Sequence, residues 1–117
     1  MTSRFALGLL FGTILLVMLG VTSWASTVQP IWAWQGIAAA NPDRAWTIAT
    51  LADAYCGFLT FYAWVFYRER SALARVAWLV GVLTLGNIAM ACYVLLQLAR
   101  LPAGAPLHHL LLRPADR

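Results

Sequence analysis

The sequence predicts an all-α integral membrane protein with three transmembrane helices, and two observations carry that prediction. Three long apolar runs, at about residues 5–23, 46–67 and 76–99, contain a single charged side chain, Asp53. Each run is long enough to cross a hydrocarbon core about 30 Å thick, at about 1.5 Å per helical residue. Hydrophobic residues make up 62% of the chain and charged residues only 10%, against about 25% in soluble domains. We therefore expect this chain to lie in a lipid bilayer.

The three runs leave a loop at residues 24–45 and a tail at residues 100–117. Because the spans, connections and tail use every residue, we expect one membrane domain over residues 1–117 and no second domain. Within the loop, residues 30–40 are predicted to form a short helix or turn that lies in the membrane interface. In the tail, the apolar stretch 107–112 is too short to span and should rest on the surface.

The first run has two interpretations. Arg4, the apolar stretch and Ser23-Trp24-Ala25 fit the charge, core and cleavage site of a signal peptide. The stretch is longer than the usual 7–15 residues, however, and Gly8 and Gly12 form a GxxxG pattern that suits helix packing. We favour a retained helix that packs through these two glycines.

Tryptophan and arginine side chains mark the expected membrane boundaries. The tryptophan ring is apolar while its N–H needs a polar partner, and arginine keeps its charge in water. Four tryptophans near the first loop are better explained by an aromatic belt than by a ligand cage. The predicted interface anchors are Trp24, Trp32, Trp34, Trp46, Arg68 and Arg70.

Local signals predict where the second and third helices begin and end. Asn41-Pro42-Asp43 combines a capping residue, a proline suited to the first turn and an acid near the helix dipole. The second helix should therefore begin before Trp46. Ser71 can cap the third helix, which should run to about Ala99 and end before Pro102.

The arginines favour one orientation in the membrane. With three spans, the N-terminal tail shares a side with the second loop, and the first loop shares the other side with the C-terminal tail. Each side has four arginines, but those of the first group lie in shorter segments, nearer the spans. The positive-inside rule then favours a multi-pass protein of the bacterial inner (cytoplasmic) membrane, with its N-terminus cytoplasmic and its C-terminus outside.

Asp53 is the residue most suggestive of function. A charged Asp at mid-bilayer costs about 2.5–3.5 kcal/mol, so it usually faces a partner or a cavity. Its helical neighbours include Thr50 and Gly57, and equal depth on an antiparallel third helix brings Tyr93 and Asn87 within reach. The sequence thus predicts an intramembrane polar cluster of Asp53, Tyr93, Asn87 and Thr50. The cluster could serve as a proton or cation relay, as a polar ligand pocket, or as a hydrogen-bonded clamp that joins the three helices, and the clamp is favoured over the relay.

Glycines give the other packing signal. Small residues let membrane helices approach closely, because no side chain separates the two backbones. The predicted helix-packing positions are Gly8, Gly12, Gly57 and Gly86.

No motif names a reaction. The two cysteines, Cys56 and Cys92, lie inside spans with no CxxC spacing, and His108-His109 is a pair whose rings would point to different sides of a helix. We therefore predict no catalytic residues, no metal site and no cofactor. The eight basic residues are scattered near helix ends and form no stripe along one face. Nucleic-acid binding is accordingly not expected.

Two stretches carry a family resemblance: DAYCGFLTFYAWVFYRE, residues 53–69, and LGNIAMACY, residues 85–93. They resemble an uncharacterised family of small bacterial and plant multi-span membrane proteins, which is catalogued as a domain of unknown function. The resemblance covers helices two and three and implies no activity, substrate or cofactor. The matching residues are Asp53, Tyr55, Gly57, Phe58, Trp64, Glu69, Gly86, Asn87 and Tyr93.

Three helices make a thin bundle, so function should depend on association with other subunits or with further copies. The first hypothesis is a non-enzymatic accessory or structural subunit of a larger inner-membrane assembly, respiratory or photosynthetic. The second is a homo-oligomeric carrier or channel for protons or a small solute, with a path lined by Asp53, Tyr93 and Asn87. A third, a small membrane enzyme acting on a lipid or isoprenoid, lacks a second acid–base group.

Overall fold

Four α-helices make up most of the chain in a computed structural model, which describes residues 3–114. The all-α prediction is confirmed, since no strand occurs within that range. Two single 3₁₀ turns lie outside these helices, at Ile31–Ala33 in the first loop and at Leu107–Leu110 in the tail. The helices are α1 Ser3–Val28, α2 Arg44–Arg68, α3 Ala72–Leu85 and α4 Asn87–Arg100.

Among the helices of residues 3–114, only α1 and α2 are long and apolar enough to cross a membrane, judged by length and composition. At about 1.5 Å per residue, their 26 and 25 residues correspond to about 39 and 37 Å. The second helix begins at Arg44, before Trp46 as expected. The capping differs in detail: Asn41 Oδ1 accepts a hydrogen bond from the Asp43 N–H at 2.9 Å, so Asn41 orders the turn before the helix.

The third apolar run is not one helix, and three spanning helices are not confirmed. It is divided at Gly86, whose backbone has φ +53° and ψ −122°, a conformation that side chains with a Cβ strongly disfavour. The Phe58 ring of α2 lies against this glycine, so that a Cβ there would be 2.7 Å from Phe58 Cζ. Tertiary contact with α2 thus coincides with the helix break.

The two halves of this run fold back on each other as a helical hairpin. A Cβ placed on Gly81 would lie 3.7 Å from Ala89 Cβ, and the rings of Trp78 and Tyr93 have centroids 4.8 Å apart. In a continuous helix, eight residues span about 12 Å and fifteen span about 22 Å. The Tyr55 hydroxyl donates to the Leu83 carbonyl at 2.9 Å, which satisfies one of the backbone acceptors at the end of α3.

The hairpin brings the first and last described residues to one end of the molecule. Helix α1 packs on α4, α2 on α3, and α3 on α4. Arg4, at the start of α1, donates to the Pro102 carbonyl at 3.1 Å. The N-terminal and C-terminal segments were expected on opposite sides, and that expectation was wrong because it assumed a single third span.

Side-chain burial divides the molecule into two halves. The hairpin half, residues 3–18 and 58–114, contains every buried residue except one among those that the structure describes. The two-helix half, residues 19–57, has only Gly36 buried, and all of residues 19–28 are exposed. One half is a packed helical bundle, whereas the other consists of α1 and α2 with their connection and no helix packed between them.

Candidate functional site

The structure does not bring the predicted polar cluster together. Asp53 and Thr50 are exposed on α2 in the two-helix half. Asn87 is exposed at the hairpin tip, at the start of α4, whereas Tyr93 is fully buried in the hairpin half. The equal-depth estimate assumed that the third helix continued to the far side. Because the chain reverses at Gly86, α4 instead returns towards the end of the molecule where α2 ends.

Asp53 has no hydrogen-bond partner within residues 3–114. Thr50, Cys56, Gly57 and Thr60 lie one or two turns away on the same face of α2 and are all exposed. Together with Asp53, these four residues form an exposed stripe of small and polar side chains, which we call the Asp53 stripe.

Tyr93 pairs with an acid that was not among the predicted site residues. Its hydroxyl donates to Glu69 Oε1 at 2.9 Å. Three aromatic rings surround the phenol edge-on, with centroids 4.8 Å (Trp78), 5.5 Å (Trp64) and 6.1 Å (Phe61) from its own. Edge-to-face contacts of this kind fix the ring and its hydroxyl direction. Glu69 is thereby joined to the core of the hairpin half.

A cavity of about 230 Å³ lies next to Glu69. The amide of Gln97 is 4% exposed, and its Nε2 has no hydrogen-bond acceptor among residues 3–114. Buried amides nearly always find a partner, so an unsatisfied donor beside a cavity is an uncommon arrangement. The cavity is lined by Arg68, Glu69, Gln97, Arg100 and Pro114.

Arginines surround this end of the molecule and bind the C-termini of two helices. Arg4 Nη2 donates to the Leu98 and Leu101 carbonyls at the end of α4, each at 2.7 Å. Arg75 Nε donates to the Glu69 carbonyl at 2.8 Å, and Arg113 Nε to a carbonyl of α2 at 2.6 Å. These cations satisfy backbone acceptors where the helix dipole is negative.

Arg68 was expected to be an exposed interface anchor, but it is 4% exposed. Its Nη1 donates to the Leu110 carbonyl at 2.7 Å, and its guanidinium lies 5.5 Å from the centre of the Trp64 ring. Trp64 Nε1 in turn donates to the Leu111 carbonyl at 3.1 Å. The stretch expected to rest on the surface is therefore tied to α2, with Leu110 buried.

The other predicted anchors are exposed. Arg70 lies at the arginine-rich end, beside Glu69. The four predicted tryptophan anchors lie in the two-helix half, at the end of α1 and α2 opposite to six of the seven arginines among residues 3–114. Their exposed fractions follow: Trp24 66%, Trp32 86%, Trp34 47% and Trp46 79%.

The predicted packing glycines fall into two groups. A Cβ built at Gly8 would lie 3.7 Å from Leu98 on α4, and Gly86 lies under Phe58. Gly12 and Gly57 have open space where a Cβ would be. Gly8 and Gly86 therefore lie at close contacts within the chain, whereas Gly12 and Gly57 make no such contact.

Sequence reasoning missed three residues of the cavity: Glu69, Gln97 and Arg100. A signal existed for two of them, since Glu69 belongs to the family resemblance and Gln97 is a polar amide inside an apolar run. Among residues 3–114, the wall of the cavity contains two guanidinium groups, the Gln97 amide and one carboxylate, a set that suits an anion. Within residues 3–114, no group of three or more His, Cys, Asp or Glu side chains could hold a metal ion.

Comparison with known proteins gives one match. No curated protein and no solved structure is significantly similar to the chain. A model of the family described as "Protein of unknown function (DUF1475)" matches residues 2–117. This match extends the resemblance seen in helices two and three over the first helix and the tail. The chain therefore belongs to the DUF1475 family, whose function is not characterised.

Proposed function

We propose that this is an integral membrane protein with two spanning helices and a re-entrant hairpin. The length and apolar composition of α1 and α2 support two spans. Helices α3 and α4 have 14 residues each, which corresponds to about 21 Å and is short of a hydrocarbon core about 30 Å thick. Irregular backbone inside a membrane requires burial by protein. The contacts of Phe58 and Tyr55 supply that cover at Gly86 and at the Leu83 carbonyl.

The arginine-rich end would face the cytoplasm of a bacterial inner membrane. Within residues 3–114, every arginine except Arg44 lies at that end. Once the third span is replaced by a hairpin, the two sides of the membrane no longer have equal numbers of arginines. The positive-inside rule therefore supports placing the arginine-rich end in the cytoplasm. Both described chain ends would then be cytoplasmic.

Helix α1 would be retained in the mature protein. A signal peptide has no reason to make specific contacts with the rest of the fold. Here Arg4 donates to three carbonyls of the segment from Leu98 to Pro102, and Gly8 lets α1 approach Leu98. These contacts support a permanent helix of the bundle.

We further propose that the protein is a non-enzymatic accessory subunit of a larger membrane assembly. The observation that carries this proposal is the exposure of the Asp53 stripe on a helix suited to span the membrane. A lone Asp facing lipid costs about 2.5–3.5 kcal/mol, and small residues typically line helix–helix contacts. A partner helix packed on the stripe would remove Asp53 from lipid and fill the open space beside Gly57.

The partner should offer a hydrogen-bond donor or a basic side chain at the depth of Asp53. A second copy, packed symmetrically through the same stripe, would bring two Asp53 carboxyls together. Like charges at short range oppose each other, so such a pair ionises fully only at a cost. A different subunit with a complementary group is therefore favoured over a symmetric homodimer.

The two other hypotheses keep less support. A carrier path of Asp53, Tyr93 and Asn87 is not continuous, because Tyr93 lies with Glu69 in the other half of the molecule. A lipid-modifying enzyme needs a second acid–base group beside Asp53, and the exposed neighbours of Asp53 are threonine, cysteine and glycine.

The natural cysteines allow a direct test. Cys56 lies in the Asp53 stripe and Cys92 is exposed on α4. Each single-cysteine variant, Cys92→Ala or Cys56→Ala, would be labelled in native membranes with a maleimide–benzophenone reagent and irradiated. Cross-linked products would be identified by mass spectrometry, and native mass spectrometry of the mild-detergent extract would give the stoichiometry.

We expect Cys56 to cross-link to a different membrane protein, and the matched Cys92 label to give less of that product. The adduct should also weaken in an Asp53→Asn background. A product at twice the 12.9 kDa chain mass would replace the subunit proposal with a homo-oligomer. Labelling of lipid alone, with a monomer in native mass spectrometry, would refute association through this stripe.

A further inference from the structure

We propose that the cavity between α2 and α4 at the arginine-rich end binds a phosphate group. This goes beyond the accessory role, because the cavity lies in the hairpin half and shares no residue with the Asp53 stripe. Its wall consists of side chains from the end of α2, the end of α4 and the tail. Neither the spanning helices nor the interface anchors require such a cavity.

The first argument is the buried amide of Gln97. Gln97 lines the cavity, and its Nε2 is shielded from solvent and finds no acceptor among residues 3–114. A buried donor without a partner carries a desolvation penalty that a ligand oxygen in the cavity would remove. The donor thus indicates a ligand that presents hydrogen-bond acceptors.

The second argument is charge. Among residues 3–114, Arg68 and Arg100 contribute two positive charges to the wall, against one negative charge from Glu69. The Glu69 carboxylate opposes an anion, but its Oε1 is already engaged by the Tyr93 hydroxyl. The exposed Arg100 makes no hydrogen bond within residues 3–114 and is available to a ligand. Guanidinium groups bind phosphate oxygens in a geometrically matched way that lysine does not reproduce.

The third argument is size and surroundings. About 230 Å³ exceeds the volume of several water molecules, at about 30 Å³ each. An apolar groove of about 250 Å³ lies nearby, lined by Trp64, Val94 and Leu111 among others. Trp64 also contacts the Arg68 guanidinium, so the charged cavity and the apolar groove are neighbours. A phosphate carried by a lipid headgroup and a free phosphate would both suit this chemistry.

The experiment uses the full chain in neutral detergent. Native mass spectrometry would measure retention of phosphatidylglycerol and of diacylglycerol with the same acyl chains, which lacks the phosphate. Inorganic phosphate, monitored by phosphorus NMR line broadening, would be the free-ion probe. The variants are Arg100→Gln and Gln97→Leu, and the matched control is Arg70→Gln, which removes the same charge from an exposed position outside the cavity.

We expect the wild type to retain phosphatidylglycerol or bind inorganic phosphate, and both cavity variants to weaken that binding about tenfold or more, since a charged hydrogen bond is lost. Gln97→Leu should keep its fold, because an apolar side chain of similar shape replaces an unsatisfied donor. Phosphatidylglycerol retention without phosphate broadening assigns a lipid headgroup, and the reverse assigns a free ion. Equal binding by wild type, both cavity variants and Arg70→Gln, or no phosphate-dependent binding, would overturn the proposal.

Discussion

The hairpin half and the two-helix half differ in how their polar groups are satisfied. In the hairpin half, arginines donate to the carbonyls that end α2 and α4, and Tyr93 donates to Glu69. In the two-helix half, Asp53 has no partner within residues 3–114, and the tryptophans are exposed. A polar group that its own chain leaves unsatisfied is stabilised by solvent, lipid headgroups or another protein. Apart from the Gln97 amide, the first half therefore satisfies these polar groups within its own chain, whereas the second half is suited to association.

Among the substitutions proposed, one at the hairpin tip should have the largest effect on the free energy of unfolding. Gly86→Ala should lower the free energy of unfolding by about 2–5 kcal/mol, because it adds a left-handed backbone penalty and a contact with Phe58. Chemical unfolding in detergent micelles, followed by circular dichroism, would measure it. Gly57→Ala is the matched control, with open space around the new Cβ, and should be neutral or stabilising by about 0.5–1 kcal/mol. Equal effects at both glycines would contradict a break at Gly86.

Replacement of Arg4, whose guanidinium binds the C-terminal end of α4, should have the next largest effect on the free energy of unfolding. Arg4→Gln loses charged hydrogen bonds to the Leu98, Leu101 and Pro102 carbonyls and should destabilise the fold by about 1–3 kcal/mol. The same unfolding measurement applies. Arg70→Gln removes an exposed arginine at the same end and should change stability by less than about 0.5 kcal/mol. Similar losses in the two variants would mean that net charge, and not the contact of α1 with α4, is what matters.

Removal of the hydrogen bond between Tyr93 and Glu69 should lower the free energy of unfolding by a smaller amount. Tyr93→Phe keeps the aromatic contacts but leaves the carboxylate without its phenol donor, so we expect a loss of about 1–2 kcal/mol. Tyr55→Phe, which loses a hydroxyl bonded to one carbonyl at a more exposed position, should cost about 0.5–1 kcal/mol. If the Tyr93 variant were the more stable of the two, Glu69 would have to be satisfied by other groups.

The smallest effect on the isolated chain is expected at Asp53. Asp53→Asn should change the free energy of unfolding in detergent by less than about 0.5 kcal/mol, because no partner within residues 3–114 is lost. In native membranes, the same variant should weaken co-purification with the partner subunit. A large stability loss in the isolated chain would show that Asp53 serves its own fold and would remove the contrast between the two halves.

Much of the local structure was predictable. The start of α2 before Trp46 and the capping of α3 by Ser71 are both confirmed, the latter by the Ala74 N–H donating to Ser71 Oγ at 3.4 Å. These features depend on residues within a few positions of one another, so sequence signals report them directly. The site was less predictable. Gln97 and Arg100 meet Glu69 only after the chain has reversed, and separation along the sequence gives no indication of that reversal.

The sequence by itself determined the helical content, the apolar character of the chain and the residues that mark helix ends, because each depends on composition or on neighbouring positions. Tertiary structure alone decided that the last apolar run folds back at Gly86. A glycine inside a helix costs only about 1 kcal/mol, so its presence is compatible with a continuous helix as well as with a break. The outcome depends on Phe58 packing against the glycine and Tyr93 reaching Glu69. Those contacts are long-range, and they also place both described chain ends, six arginines and the cavity of about 230 Å³ at one end of the molecule.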